Sequence, residues 1–354
     1  MTGSTCSVDL RWRLAPSTDF AKRASTWDRV VVAGGYPPFM KADFIAPALQ
    51  AFGTGREWFA TYGSDESPAA MAILTTRSPG LWETFQPSQL PLGAFVHDRS
   101  GRVQEALRRL LPSLPGIALV GALTQQDPEL LPRSPDASCV RSLDYIETAR
   151  VIPQTPFVAY WASRSKNLRT NVKRQFARLA QDKVSFQLDV VDDSARVAEA
   201  IADYGRLEGS GWKLGTGTAV SVDNAQGVFY RNVFEIFCGA GKGRIYRLVI
   251  QGHVVATDLC IEDDGILVVL KTAYDAASAS LSPATLLRHL YFQSLFDGGQ
   301  IRRIEFFGKV MEWHRRWTDD VRMLYHLNVY RNPLVCGIHQ RLRRDRGADP
   351  SQSA

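Results

Sequence analysis

Three strand-like runs lie between residues 243 and 274, and a helix signal follows them directly. The runs are GRIYRLVIQ, HVVATDLCIED and GILVVLKTAYD, and the junctions between them carry the turn segments GH (252–253) and DDG (263–265). Short turns that contain glycine are typical of hairpins between antiparallel strands. The sequence therefore predicts three consecutive antiparallel strands, and the chain must adopt a fold that contains them.

The helix after these strands is predicted to begin sharply. Ser282 is a favoured N-cap because its hydroxyl can accept from an amide two or three residues later, and Pro283 suits the first helical position. This start would leave the amides of Ala284, Thr285 and Leu286 free at the positive end of the helix dipole. Such a helix start can bind an anion, and a diphosphate is the expected occupant. The alternative is an ordinary capped helix that binds nothing.

The rest of the chain has a mixed α/β pattern in two units. Residues 127–136 contain three prolines and predict a loop, so we place a domain boundary near Arg150. The predicted domains are residues 1–150 and 151–335, with a basic and polar tail over 336–354. Hydrophobic periodicity predicts helices at 38–53, 103–114, 163–183, 194–211 and 224–241, and strands at 57–63, 69–77, 116–123, 184–191, 301–308 and 322–331.

Composition limits the class of protein. The chain has 354 residues, 45% of them hydrophobic, and a formal net charge of +6, which is too small to indicate a nucleic-acid binder by itself. Its five cysteines show no metal or redox spacing, which favours reduced thiols in the cytoplasm. No apolar run approaches the roughly 18 residues of a membrane span, and neither a signal peptide nor a Walker-type phosphate loop is evident. We therefore expect no membrane partner and no metal.

Several stretches of the second half resemble one family. They are similar to motifs of the BioF2-like or CelD-like acetyltransferases, which belong to the Gcn5-related N-acetyltransferase (GNAT) superfamily and are related to Fem peptidyltransferases. The first two are the basic helix SKNLRTNVKRQFARL (165–179) and the glycine-rich segment LEGSGWKLGTGTAV (207–220). The others are the strand-to-helix junction LKTAYDAASASLSPATLL (270–287) and the last motif, EFFGKVMEWHRRWT (305–318).

The resemblance implies two tandem GNAT-like domains, each a twisted, mostly antiparallel sheet flanked by helices, with a degenerate first domain. It implies acetyl-coenzyme A or another acyl-coenzyme A as donor, with the diphosphate held at the helix start. The chain would then transfer an acyl group to an amine of a small molecule or amino sugar, in polysaccharide or secondary-metabolite biosynthesis. Ala284 stands where the family has glycine, and Glu305 stands where it has aspartate.

Two other functions stay open. A Fem-like peptidyltransferase would use aminoacyl-tRNA and would show steep salt sensitivity. A non-catalytic descendant would keep the GNAT fold as a binding protein and lose the donor site. The alanine at position 284 favours the second alternative, because glycine allows the closest approach of a backbone to a ligand.

Aminolysis of a thioester needs a base for the amine proton and an acid for the leaving thiolate. Glu208 is the preferred base because it ends a helix before a glycine-rich turn, although a solvated carboxylate is the alternative. Asp258 lies in an apolar strand, on the face of Ala256 and Cys260, and is either paired, exposed or functional with a raised pKa. Tyr274 is the acid candidate by position, and packing is its alternative.

Five further residues are candidates for substrate binding. Trp212 would form a wall of the acceptor pocket, and Lys213 would meet a phosphate or an acidic group. Lys271 and Asp275 belong to the strand end that leads to the helix start, and His314 would line the cleft from the opposite side. A packed tryptophan, surface charges and a short amphipathic helix are the alternatives.

Overall fold

The computed structural model describes residues 10–209, 220–221 and 223–347, and its strands form one mixed sheet with helices against its faces. The strands are β1 (Trp12–Pro16), β2 (Trp58–Gly63), β3 (Pro68–Ser78), β4 (Leu81–Thr84), β5 (Phe95–His97), β6 (Val120–Gln126), β7 (Val140–Val151), β8 (Phe186–Val191), β9 (Gly243–Ile250), β10 (His253–Asp263), β11 (Ile266–Tyr274), β12 (Arg303–Glu305) and β13 (Val321–Tyr330). The helices are α1 (Phe20–Ala33), α2 (Ala42–Phe52), α3 (Val103–Ser113), α4 (Phe157–Ser163), α5 (Lys166–Gln181), α6 (Val197–Gly209), α7 (Ala225–Gly239), α8 (Pro283–Gly298), α9 (Glu312–Trp317) and α10 (Pro333–Gly347).

The two halves of the chain repeat one order of elements. In the first half, β1 to β4 pair antiparallel in sequence, and β6 follows α3 and pairs parallel to β4. In the second half, β8 to β11 pair antiparallel, and β12 follows α8 and pairs parallel to β11. The predicted mixed α/β fold, built from two similar and mostly antiparallel halves, is confirmed.

The halves also exchange a strand. The strand order is β1-β2-β3-β4-β6-β13-β7-β12-β11-β10-β9-β8, with β5 beside β3. Thus β7, which follows the first half, pairs with β12, and β13, which follows the second half, lies between β6 and β7. The predicted boundary near Arg150 falls at the end of β7, within a sheet that both halves share.

The segment expected to be a basic and polar tail is helical over its described residues. Residues 336–347 belong to α10, which begins after Asn332, whose side-chain oxygen accepts from the Val335 amide at 2.9 Å. Cys336 is buried against Val120 and Tyr330. This apolar contact holds the start of the helix to the sheet, so at least this part of the segment is ordered in spite of its basic composition.

Strand β10 shows how the sheet divides the core of the second half. Leu259 and Ile261 face the core formed with α6 and α7. Ala256 and Cys260 face the opposite core, beneath α8. Because side chains alternate along a strand, Asp258 also points to the side of α8, as the sequence predicts.

Candidate active site

The sheet opens between β11 and β12. These parallel strands pair only as far as Val268 and Glu305, and they separate beyond that point. A first cavity of about 260 Å³ lies at the start of α8, and a second of about 230 Å³ lies between the separated strands and α6. Thr272 and Trp313 line both cavities, which are therefore neighbours. Ligands commonly bind at such openings beyond the carboxyl ends of parallel strands.

The start of α8 differs in detail from the predicted cap. Ser282 has φ 52° and ψ 52°, and its side chain makes no capping hydrogen bond. Its carbonyl oxygen accepts from the amides of Thr285 at 2.9 Å and Leu286 at 3.1 Å. Two of the three amides expected to be free are therefore used inside the helix, and the Leu286 side chain is buried. Within the described residues, the Ala284 amide has no protein acceptor, and Ala284 lines the first cavity.

The conformation of Ser282 is itself unusual. A left-handed backbone costs a residue with a side chain about 1–2 kcal/mol, so glycine is the residue that normally adopts it. Ser282, Pro283 and Ala284 all line the first cavity. Strained backbone of this kind concentrates at ligand sites, which agrees with a binding role for this turn.

A buried arginine forms the floor of the first cavity. The Arg288 Nε donates to Asp258 Oδ2 at 3.0 Å, and Nη2 donates to Asp258 Oδ1 at 3.2 Å and to Thr272 Oγ1 at 2.6 Å. The Tyr291 hydroxyl donates to the same carboxylate at 2.9 Å. The guanidinium lies over the Trp313 ring, with its carbon 3.9 Å from the ring centre. Nη1 has no hydrogen-bond acceptor in the described part of the chain.

The candidate catalytic role of Asp258 is therefore corrected. The side chain of Asp258 is fully buried, and both carboxylate oxygens accept hydrogen bonds from protein donors. A buried carboxylate in this geometry neutralises Arg288 and fixes its position. Of the possibilities open from the sequence, the paired state is the one observed.

Glu208 lies where the sequence predicts it, at the end of α6, and it lines the second cavity. It is 9% exposed. Its Oε1 accepts from the Tyr204 hydroxyl at 3.0 Å, and its Oε2 accepts from the Val220 amide at 2.7 Å. Burial, followed by the nearby Glu208 charge, raises the pKa values of Tyr204 and Tyr230, so both hydroxyls stay protonated. The carboxylate is thus oriented by a donor on each of its oxygens.

His314 also lines the second cavity. Its Nδ1 accepts from the Met311 amide at 2.9 Å, which places the proton of the neutral ring on Nε2. The ring stacks on Trp313 with a centroid distance of 3.5 Å. Burial, and then the Arg288 charge, lower the pKa of His314 to about 4. At neutral pH the imidazole is therefore a hydrogen-bond donor and not a base.

This lowered pKa gives a prediction for acid stability. As pH falls from 6.5 towards 4, the unfolded chain protonates this histidine and the folded chain does not, so folding stability falls over that window. The full shift corresponds to about 3 kcal/mol. His314→Asn keeps an acceptor for the Met311 amide and removes the titration. Urea unfolding at pH 7 and pH 4.5 should show a smaller loss for the variant than for wild type, and equal losses would contradict the assignment.

The other predicted residues divide into three groups. Tyr274 is 47% exposed and lines the first cavity, and Lys271 lines the second. Asp275 lines neither cavity, because its carboxylate accepts from the Ala277 amide at 3.1 Å and the Ser278 hydroxyl at 2.7 Å. It caps a turn and lines a third cavity of about 390 Å³, and its assignment to substrate binding stays a prediction. Trp212 and Lys213 lie outside the described residues.

Three residues of the site are not predicted from the sequence. Arg288 and Thr272 belong to the first cavity, and Tyr204 orients Glu208. Asp258 is the sequence feature that pointed to a buried basic residue, since a carboxylate inside an apolar strand requires a partner. That signal did not indicate which basic residue would supply the partner.

The equivalent opening in the first half is filled. Strands β4 and β6 pair as far as Glu83 and Ala122 and then separate. The Gly93 amide donates to Thr124 O at 3.1 Å across this gap. A Cβ on Gly93 would lie 2.2 Å from Thr84 Oγ1, so the backbone of this segment occupies the space. The open cleft described here therefore belongs to the second half.

Comparisons with known proteins place the chain in a family. Residues 166–347, just over half of the chain, match the family model described as acetyltransferase (GNAT) domain. The chain belongs to this acetyltransferase (GNAT) family. The comparison with curated proteins gives no significant match.

Solved structures with the same fold cover both halves. The C-terminal domain of an Agrobacterium fabrum protein described as a lysylphosphatidylglycerol synthetase aligns with a TM-score of 0.55 and 14% identity, over 90% of this chain and 95% of that chain. FemX aligns with a TM-score of 0.56 and 9% identity, over 88% and 97%. A conserved protein of unknown function from Bacteroides thetaiotaomicron aligns with a TM-score of 0.53 and 10% identity, over 91% and 100%. At these identities the likeness concerns the fold.

Proposed function

We propose that the chain is an acyl-coenzyme A-dependent N-acyltransferase, most simply an N-acetyltransferase of the cytoplasm. The acceptor is an amine of a small molecule or amino sugar. The observation that carries this proposal is the pair of neighbouring cavities at the opening of a GNAT sheet, which share Thr272 and Trp313. The first cavity contains groups that can bind an anion, and the second contains the oriented carboxylate of Glu208.

The first cavity suits the diphosphate of the donor. The Ala284 amide and Arg288 Nη1 have no protein acceptors among the described residues and would hold the phosphate oxygens. The side chains of residues 276–280 are all small, which leaves room for a nucleotide carrier. When bound, coenzyme A supplies a thioester carbonyl that is activated for attack by an amine.

The two cavities together supply the acid–base groups, since Glu208 lines the second and Tyr274 lines the first. Glu208 takes the amine proton as the new C–N bond forms and the C–S bond breaks, and Tyr274 returns a proton to the leaving sulfur. The Nε2–H of His314 donates to an oxygen of either substrate, because its Nδ1 is occupied by Met311. The cavities meet at Trp313, where the acyl group would pass from one to the other.

A Fem-like transfer from aminoacyl-tRNA is the second candidate. The feature that favours it is the basic surface of α5, where Lys166, Arg169 and Lys173 are exposed. This helix is anchored next to the first cavity, since the Gln175 amide nitrogen donates to Ser280 O at 3.0 Å. Phosphates of an RNA donor would meet this surface, and binding would weaken steeply with salt.

Thermal-shift titration with acetyl-coenzyme A and longer acyl-coenzyme A tests the first candidate. We expect saturating donor to raise the Tm of wild type, because a ligand that binds only the folded state stabilises it. Ala284→Glu should abolish the shift, since it puts a carboxylate where the phosphates bind. Ala198→Glu, at an exposed position on α6, is the matched control and should keep the shift.

Two results would contradict the proposal. Equal shifts in wild type and Ala284→Glu would remove the α8 start from the donor site. No shift with any thioester would exclude coenzyme A as donor. In that case stabilisation by charged tRNA would support the Fem-like candidate, and its absence would support a non-catalytic binding protein.

A further inference from the structure

Helix α10 exposes a row of large apolar side chains. Leu334 is 73% exposed, Ile338 is 51% exposed and Leu342 is 52% exposed. Residues four apart in a helix lie on the same face, so the three side chains form one stripe over two turns. Large apolar groups that are contiguous on a surface commonly mark a contact with a partner or a membrane.

The opposite face of α10 is fixed to the sheet. Cys336 is buried, and the Gln340 amide nitrogen donates to its sulfur at 3.6 Å. The Tyr330 hydroxyl and His339 Nδ1 are 3.0 Å apart in a hydrogen bond. The helix therefore cannot rotate to bury the stripe without losing these contacts.

The apolar surface continues beyond the start of the helix. Ile117 is 75% exposed in the loop before β6. The Arg331 guanidinium donates to Ala118 O at 3.4 Å, and its amide donates to Leu119 O at 2.9 Å. Because Arg331 lies two residues before α10, its bonds to the loop place Ile117 next to the stripe. Arg331 itself adds a cation there.

Charge identifies the kind of partner. Arg331 and Arg341 are exposed, and residues 341–346 read RLRRDR, with four arginines and one aspartate. A two-fold contact between two copies would pair α10 with α10 either antiparallel, with Arg331 facing Arg341 of the second copy, or parallel, with each arginine facing its own counterpart, and both place cations together, which is unfavourable. An anionic lipid surface combines an apolar interior for the stripe with negative charge for the arginines.

We propose that α10 and the 117–119 loop dock on an anionic membrane surface, with Leu334, Ile338 and Leu342 inserted at the interface. The contact is peripheral, since no described helix is both long and apolar enough to cross a bilayer. It differs from the sequence-based expectation of no membrane partner, and it does not depend on the proposed acyl transfer.

Vesicle co-sedimentation of the full chain tests this docking. Vesicles of phosphatidylcholine alone are compared with vesicles of equal parts phosphatidylcholine and phosphatidylglycerol. We expect the protein to sediment with the anionic vesicles and to remain in solution with the neutral ones, and high salt should release it. Leu334→Gln, Ile338→Gln and Leu342→Gln together should reduce the bound fraction about fivefold or more.

The matched control substitutes three exposed apolar residues elsewhere. Val32, Val158 and Ile236 are 67%, 79% and 40% exposed, and their replacement by glutamine should leave vesicle binding unchanged. Circular dichroism of both triple variants checks that they fold.

Three outcomes would overturn the proposal. Wild type could fail to sediment with anionic vesicles, or the α10 variant could bind them as well as wild type. Analytical ultracentrifugation could also show a dimer of wild type that the α10 variant converts to a monomer, which would assign the stripe to a second copy.

Discussion

Replacing Arg288 with methionine is expected to lower the free energy of unfolding by about 3–5 kcal/mol, because it leaves a buried carboxylate without its partner. Asp258 is fully buried, and Arg288 provides two of its hydrogen bonds. The same variant should lose measurable donor binding, since Arg288 lines the first cavity. Urea unfolding and calorimetric titration with acetyl-coenzyme A measure the two effects separately.

A repaired variant separates stability from function. Combining Arg288→Met with Asp258→Leu and Tyr291→Phe removes the three buried polar side chains together. Thr272 also loses its bond to Arg288, but it is exposed and its hydroxyl can bond to water. Replacing a buried ion pair by apolar residues of similar volume is often neutral or stabilising, so most of the lost stability should return. Donor binding should remain absent. If the repaired variant binds acetyl-coenzyme A as wild type does, Arg288 has a structural role alone.

Replacing Glu208 with glutamine is expected to slow acyl transfer about 10²–10⁴-fold, the usual contribution of a positioned general base. Donor affinity should change little, because Glu208 lines the second cavity and not the first. The glutamine keeps an oxygen for the Val220 amide, so the fold should tolerate it. Release of free thiol in the presence of a panel of amines, followed in single-turnover experiments, measures the rate.

A second variant tests whether Glu208 works as a base or only supports the helix end. Tyr204→Phe removes the hydroxyl that donates to Glu208 Oε1. A donor to a carboxylate favours its charged form, so removing that donor should move the acidic limb of the pH–rate profile to higher pH. An unchanged profile, or a Glu208→Gln variant with the wild-type rate, would exclude Glu208 as the base.

The sequence predicts the second half well because its elements carry strong local signals. Strand β10 is a mostly apolar run between glycine turns, and α8 begins at a proline and ends at Gly298, with Gly299 as its C-cap. Strand β7 was not predicted. Its sequence, VRSLDYIETARV, mixes charged and apolar residues and has only three buried positions, although it lies in the middle of the sheet. The strand exchange depends on long-range pairing, which no local pattern records.

The site was predicted in part. Glu208, His314, Tyr274 and Ala284 were placed at the cleft by motif and by element ends, and all of them line one of the two cavities. The left-handed turn at Ser282 was missed because a Ser-Pro pair suggests an ordinary cap. The ion pair of Asp258 with Arg288 joins residues 30 positions apart, so only the folded chain could identify it.

A crystal structure with a non-hydrolysable thioether analogue of acetyl-coenzyme A tests the central claim most directly. The claim is that the opening between β11 and β12 holds the donor. We predict diphosphate oxygens within hydrogen-bonding distance of the Ala284 amide and Arg288 Nη1, with the acyl carbon beside Trp313 and facing Glu208. A ligand bound in the first half, or anywhere that leaves the α8 start without a phosphate, would contradict it.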